Sequence, residues 1–111
     1  ADGQWMAQTI SNVKLANVGA LANFNNSPSY DRYKAFKEIV PFAKAVNVKF
    51  NSLAPPTVSE YTTLLRTLKL AKESAYTGHI GIEWTGNNKS VTKGHLISKE
   101  LLQKCFKSLK N

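Results

Sequence analysis

The stretch Gly78-His79-Ile80-Gly81-Ile82-Glu83-Trp84 decides how this chain is read. Ile80 and Ile82 alternate with Gly81 and Glu83. That is the two-residue period of a β-strand, with the isoleucines facing one way and the glycine and carboxylate the other. The strand delivers Glu83 at its C-terminal end. Active sites of parallel α/β proteins lie at the C-terminal ends of their strands, so this carboxylate stands where chemistry would be done. The competing reading is a strand that has already ended, leaving Glu83 as a solvated loop residue.

Working outward, Pro55-Pro56 marks a loop, and Thr57-Val-Ser-Glu60 has the spacing of a capping box, in which Thr57 and Glu60 satisfy backbone donors at a helix start. Behind it Tyr61, Leu64, Leu65, Leu68 and Ala71 follow helical spacing. Upstream, Ala45 to Phe50 reads as a strand with Val46 and Val48 on one side and Asn47 and Lys49 on the other. Tyr33, Phe36, Lys37 and Val40 predict a helix that Pro41 ends. The turn Asn25-Asn26-Ser27-Pro28 precedes it, with Ser27 placed to cap the helix and Pro28 suited to its first position. Val18 to Phe24 reads as a strand. Asp2 is placed to cap a short helix carrying Trp5, Met6 and Ile10 and ending near Asn12. Downstream, Asn87-Asn88 turns the chain into a last helix whose apolar stripe is Leu101, Leu102, Cys105 and Leu109. The order is one helix followed by three strand-helix units. Strands separated by long helices run parallel through right-handed crossovers, so the fold class is α/β.

At 111 residues the chain has the length of one small domain or a piece of a larger one. It begins with Ala rather than Met, which suggests processing, tagging or excision from something longer. No apolar run is long enough to cross a bilayer and no signal-peptide pattern is present. The single cysteine, Cys105, excludes an internal disulfide framework and a multi-cysteine zinc site. It lies on the apolar stripe of the last helix, as a small core residue would. That suits the cytosol, although an exported bacterial protein would read the same after processing. The net charge of +8 comes from 15 Lys plus Arg against 7 Asp plus Glu. It permits attraction to nucleic acid, anionic lipid or phosphorylated substrates. The lysines are scattered over helix faces and no basic block is interleaved with aromatics, so a solvated exterior is the simpler reading.

Parity makes a sharper statement. If Val18, Ala20 and Ala22, Val46 and Val48, and Ile80 and Ile82 pack against the helices, the opposite face carries Gly19, Leu21 and Asn23, Asn47 and Lys49, and Gly81 and Glu83. The last member on each strand is polar: Asn23, Lys49, Glu83. An amide, an ammonium and a carboxylate at adjacent strand ends can bind a polyol, polarise a carbonyl and move a proton. Strand ends are also polar simply because they approach solvent, and the sequence leaves both readings open.

Several stretches taken in order carry a resemblance. They are Gly19-Ala-Leu-Ala-Asn-Phe-Asn-Asn26, Tyr30-Asp-Arg-Tyr-Lys34, Val40-Pro-Phe-Ala-Lys-Ala-Val-Asn-Val-Lys49 and Ala75-Tyr-Thr-Gly-His-Ile-Gly-Ile-Glu83, with the final helix through Leu101-Leu102. Together they resemble the C-terminal part of the sugar phosphate isomerase/epimerase family, the xylose-isomerase-like TIM barrels. The likeness spans nearly the whole chain, residues 1–111 as one partial domain, from the end of the fifth helix through the eighth. It implies three βα units of a (β/α)8 barrel, binding a sugar or sugar phosphate and moving a proton beside a carbonyl. It also implies one or two divalent metals (Mn, Mg, Co or Zn) held at the strand C-termini. Glu83 then corresponds to the last strand's carboxylate, a metal ligand and proton-transfer residue. Asn23 stands where many members place a metal-binding Asp, and Lys49 where many place a metal-binding His, with a subgroup similar to this chain carrying Lys there. A protonated lysine cannot ligate and repels a divalent ion. The expected substrate contacts are Asn23, Asn26 and Trp84, the catalytic pair Glu83 and Lys49.

Other residues fit plainer roles. His79 reads as a packed core histidine on the inward face, and His95 as a surface residue early in the last helix. Arg32 and Lys34 read as surface charge or as a phosphate contact. A closed eight-stranded barrel takes about 250 residues, and three parallel strands cannot close. The expectation is therefore a fragment that pairs with an N-terminal barrel half or self-associates, and is inactive alone. The rivals are an AP-endonuclease-like barrel fragment that binds nucleic acid, and a non-catalytic assembly module.

Overall fold

The computed structural model describes residues 3–23 and 31–110. Its elements run α1 (Gly3–Val13), β1 (Ala20–Asn23), α2 (Arg32–Ile39), β2 (Ala43–Phe50), α3 (Val58–Glu73), β3 (Ile80–Trp84) and α4 (Val91–Leu109), with 3-10 turns at Val40–Phe42 and Asn88–Ser90. The strands form one sheet in the order β1-β2-β3, both pairings parallel. The protein is an α/β fold of βα units.

Local chemistry sets the helix ends. Thr57 Oγ1 accepts from the Glu60 amide at 3.2 Å, and Glu60 Oε2 accepts from the Thr57 amide at 2.7 Å. This is the capping box that the sequence predicts. Thr57→Ala removes one half of it and should cost about 1 kcal/mol, read as a Tm lower by about 4–8 °C. An unchanged Tm would mean that the box does not hold the start of α3. The other end of α3 closes in a Schellman motif, with the Tyr76 amide on the Ala71 carbonyl and the Ala75 amide on the Lys72 carbonyl. Ala75 takes the left-handed conformation (φ 58°) that this motif demands and that glycine would adopt with less strain.

The start of α2 corrects one expectation. Its cap is Asp31, whose carboxylate accepts from the Tyr33 and Lys34 amides at 2.9 and 3.2 Å. Ser27 and Pro28 lie outside the described residues, as do Asp2 and Asn26. The helix does stop at Pro41, through a 3-10 turn that leads straight into β2 at Ala43. β1 is shorter than Val18–Phe24: it begins at Ala20, and Val18 is exposed.

Alternation along the strands holds as read except at Val18, which lies before β1 and is exposed. Ala20, Ala22, Val46 and Val48 are buried, with Ile80 and Ile82 half-buried on the same side. They meet the helices in two apolar clusters. One gathers Ala20, Ala22, Val46, Phe36, Ile39, Val40 and Ala71, with Met6 and Ile10 of α1 packed against it. The other gathers Val48, Leu64, Leu68, Leu102 and Cys105, flanked by Ile80 and Ile82. Among the described residues nothing covers the opposite sheet face: Leu21 is 59% exposed, and Ala45 and Gly81 are exposed beside it. Successive parallel strands added in sequence order, with the helices on one face, form a singly wound layer. Parallel sheets normally have both faces covered.

Cys105 is fully buried in the second cluster. Burial pushes its thiol pKa up, against smaller lowering contributions from a Tyr61 hydrogen bond and the Lys104 charge. A thiol held protonated is a poor nucleophile, in keeping with a packing role.

Candidate functional site

The sheet register decides which strand-end residues meet. Asn23 of β1 lies beside Asn47 of β2, Asn47 beside Gly81 of β3, and Lys49 beside Glu83. All project from the uncovered face. Glu83 Oε2 accepts from Asn47 Nδ2 at 3.0 Å and from Asn23 Nδ2 at 3.3 Å, while Glu83 Oε1 stands 3.5 Å from Lys49 Nζ. One carboxylate thus gathers an amide from each neighbouring strand position and an ammonium. The structure brings Asn23, Lys49 and Glu83 together as the parity argument expects.

Asn47 is the member that sequence reasoning leaves out of the site. Parity puts it on the correct face, but only the register shows that it reaches Glu83. The neighbouring glycine makes the reach feasible: a Cβ on Gly81 would stand 2.6 Å from Asn47 Oδ1. A side chain there would push the Asn47 amide away from the carboxylate. The glycine between Ile80 and Ile82 thereby has a physical cause, a cleared position beside a polar cluster.

Lys49 and Glu83 are 34% and 37% exposed. A pair so open to water is worth about 0–1 kcal/mol to folding, so the fold does not depend on it. Its chemistry is better defined than its energetics. The carboxylate can accept a proton, the ammonium can meet a developing oxyanion, and the amides can bind hydroxyls. A groove of about 460 Å³ adjoins Lys49 on the helix side of the sheet, lined by Val48, Leu64 and Thr67 and by the charged Arg32 and Glu60; Glu83, Asn23 and Asn47 do not line it.

Trp84 does not join this cluster. It follows the parity of Ile80 and Ile82, and its indole lies against Gly94 of α4 and against Gly86, with Nε1 donating to the Asn87 carbonyl at 3.4 Å. A Cβ at Gly94 would collide with the ring system, so Trp84 closes the layer between β3 and α4 rather than facing Glu83. His79 is also misplaced by the sequence reading. It precedes β3 and is exposed, and its carbonyl accepts from the Tyr76 hydroxyl at 2.7 Å. His95 Nδ1 lies 2.8 Å from the Val91 carbonyl, one turn back on α4.

The donor set does not fit a divalent cation. Among the described residues no group of three or more His, Cys, Asp or Glu converges. Glu83 is the site's lone carboxylate, and the Lys49 ammonium already stands beside it. A cation bound there would meet repulsion of several kcal/mol at an effective dielectric of about 20, reduced by the solvent that reaches the pair. Hard cations want several oxygen ligands and compensating negative charge.

No helix among the described residues is long and apolar enough to cross a membrane. No protein-family model matches the sequence, and neither does any curated protein.

Proposed function

We propose that this chain forms the C-terminal three βα units of a (β/α)8 barrel of the sugar isomerase/epimerase type, and that its site transfers a proton at a carbon next to a carbonyl. The observation that carries this reading is the Glu83 carboxylate held by Asn23, Asn47 and Lys49 at the C-terminal ends of three adjacent parallel strands. Barrel active sites occupy that end of the sheet. The singly wound layer supports the barrel part of the proposal. A barrel keeps its helices outside and closes its strands upon the face that is uncovered here. Further strands, supplied by an N-terminal barrel half, would pair with the outer edges of β1 and β3 and enclose that face. Self-association is the other way to cover it.

In this reading Glu83 is the base, Lys49 faces the substrate oxygen, and the Asn23 and Asn47 amides orient hydroxyls. The test is deuterium wash-in. The completed barrel is incubated in D2O with aldoses, ketoses and their phosphates, and carbon-bound hydrogen is followed by NMR. Exchange at the carbon beside the carbonyl is expected for at least one sugar, and none across the panel would sink the proposal.

A further inference from the structure

We propose that Lys49, not a divalent cation, is the electrophile of this site, so that the proton transfer is metal-free. The inference rests on reading the site as one that moves a proton beside a carbonyl. Two independent observations carry it. The first is geometric: the Lys49 ammonium lies 3.5 Å from Glu83, in register with it, with the Asn23 and Asn47 amides on the other carboxylate oxygen. The position that a cation bridging carboxylate and substrate would need is already held by a positive charge.

The second is the composition of the whole C-terminal rim. The segment after β1, residues 24–30, the segment after β2, residues 51–56, and the segment after β3, residues 85–90, contain no His, Cys, Asp or Glu. The acids that follow the first two segments are spent on helix starts, Asp31 on the Tyr33 and Lys34 amides and Glu60 on the Thr57 amide. His79 stands before β3, at the other end of the strand from Glu83. The rim of these three strands therefore offers a metal one carboxylate, Glu83, whereas it offers an oxyanion the Lys49 ammonium.

The chemistry balances without a metal. Glu83 takes the proton from the carbon beside the carbonyl. The C–H pair becomes the new carbon–carbon π bond, and the carbonyl π pair moves to oxygen, where the Lys49 ammonium meets the negative charge. Return of the proton from Glu83 is confined to the face it left, since one carboxylate does not reach both faces of the carbon. Return to the neighbouring carbon gives the isomer, with Lys49 giving a proton to one oxygen and recovering one from the next. Carboxylate and ammonium are both restored.

The first experiment uses the chain itself, labelled with 15N, stripped with chelator and titrated with Mn2+. No saturable broadening confined to Asn47, Lys49, Gly81 and Glu83 is expected. A site there that Glu83→Gln abolishes would overturn the metal-free claim. The second uses wash-in by the completed barrel. Chelation is expected to leave the rate unchanged, while Lys49→Met lowers it by about 10²–10³-fold, the cost of removing an oxyanion donor. A rate lost on chelation and restored by Mn2+, or one indifferent to Lys49→Met, overturns the proposal. Absence of wash-in under every condition fails the proton-transfer reading itself and takes the electrophile role with it. Mn2+ bound at Glu83 fails the metal-free claim alone.

Discussion

Phe36→Ala is expected to remove about 3–5 kcal/mol of folding stability. Phe36 is 2% exposed on α2 and belongs to the cluster that joins that helix to β1 and β2. Its neighbours on β1 are Ala20 and Ala22, short side chains that cannot swell into the space an aromatic ring leaves. α1 reaches the core through Met6 and Ile10 at the same cluster, so the void would also loosen the seat of the first helix. The cost is large against the roughly 5–15 kcal/mol that holds a domain together. Urea unfolding would show it as a lowered midpoint with an unchanged slope. A loss below about 1 kcal/mol, the scale of a single cap, would mean that α2 is not the central clamp of this core.

Glu83→Gln should act in the opposite way, sparing the fold and removing the chemistry. The amide keeps the shape of the side chain, and its oxygen can still accept from Asn47 and Asn23. The ion pair it gives up is too exposed to matter to stability. The amide cannot take a proton from carbon at neutral pH. Wash-in by the completed barrel should fall by about 10²–10⁴-fold, the usual contribution of a positioned base, with an unchanged unfolding midpoint. A variant that keeps its rate would place the base elsewhere. A variant that unfolds would make Glu83 a structural residue.

Residues whose roles are local are the legible ones. Thr57 and Glu60 declare a helix start because the capping box is complete within four positions. The strand faces follow from parity alone, which is why Ala22, Val46 and Val48 fall on the core side as expected. What the sequence conceals depends on partners far along the chain. Whether Ser27 or Asp31 caps α2 is a competition between two good capping residues, and Asp31 makes the observed hydrogen bonds. Trp84 has the composition of a sugar-stacking residue, yet a glycine on α4, ten positions away, gives its ring a place inside the layer. Asn47 shares a face with Lys49, but its reach to Glu83 depends on a register that the lengths of α3 and its loops determine. Periodicity carries no information about register between parallel strands.

Among the described residues β1 pairs with β2 at four positions, with a register shift between Ala20 and Leu21, whereas β2 and β3 match residue for residue from Val46 with Ile80 to Phe50 with Trp84. Thermal fluctuations therefore do not loosen the three strands equally, since short and irregular ladders open at lower free energy than continuous ones. The site is split along that line. Asn47, Lys49 and Glu83 belong to the continuous ladder, and Asn23 to the one that carries the register shift. A local opening at that shift is accordingly expected to cost the carboxylate one amide while it keeps the other and its ammonium. In that state one lone pair of Oε2 is released toward the uncovered face. Asn23 is thus the contact through which the hold on the Glu83 carboxylate would vary, with the ion pair intact and the core beneath it undisturbed.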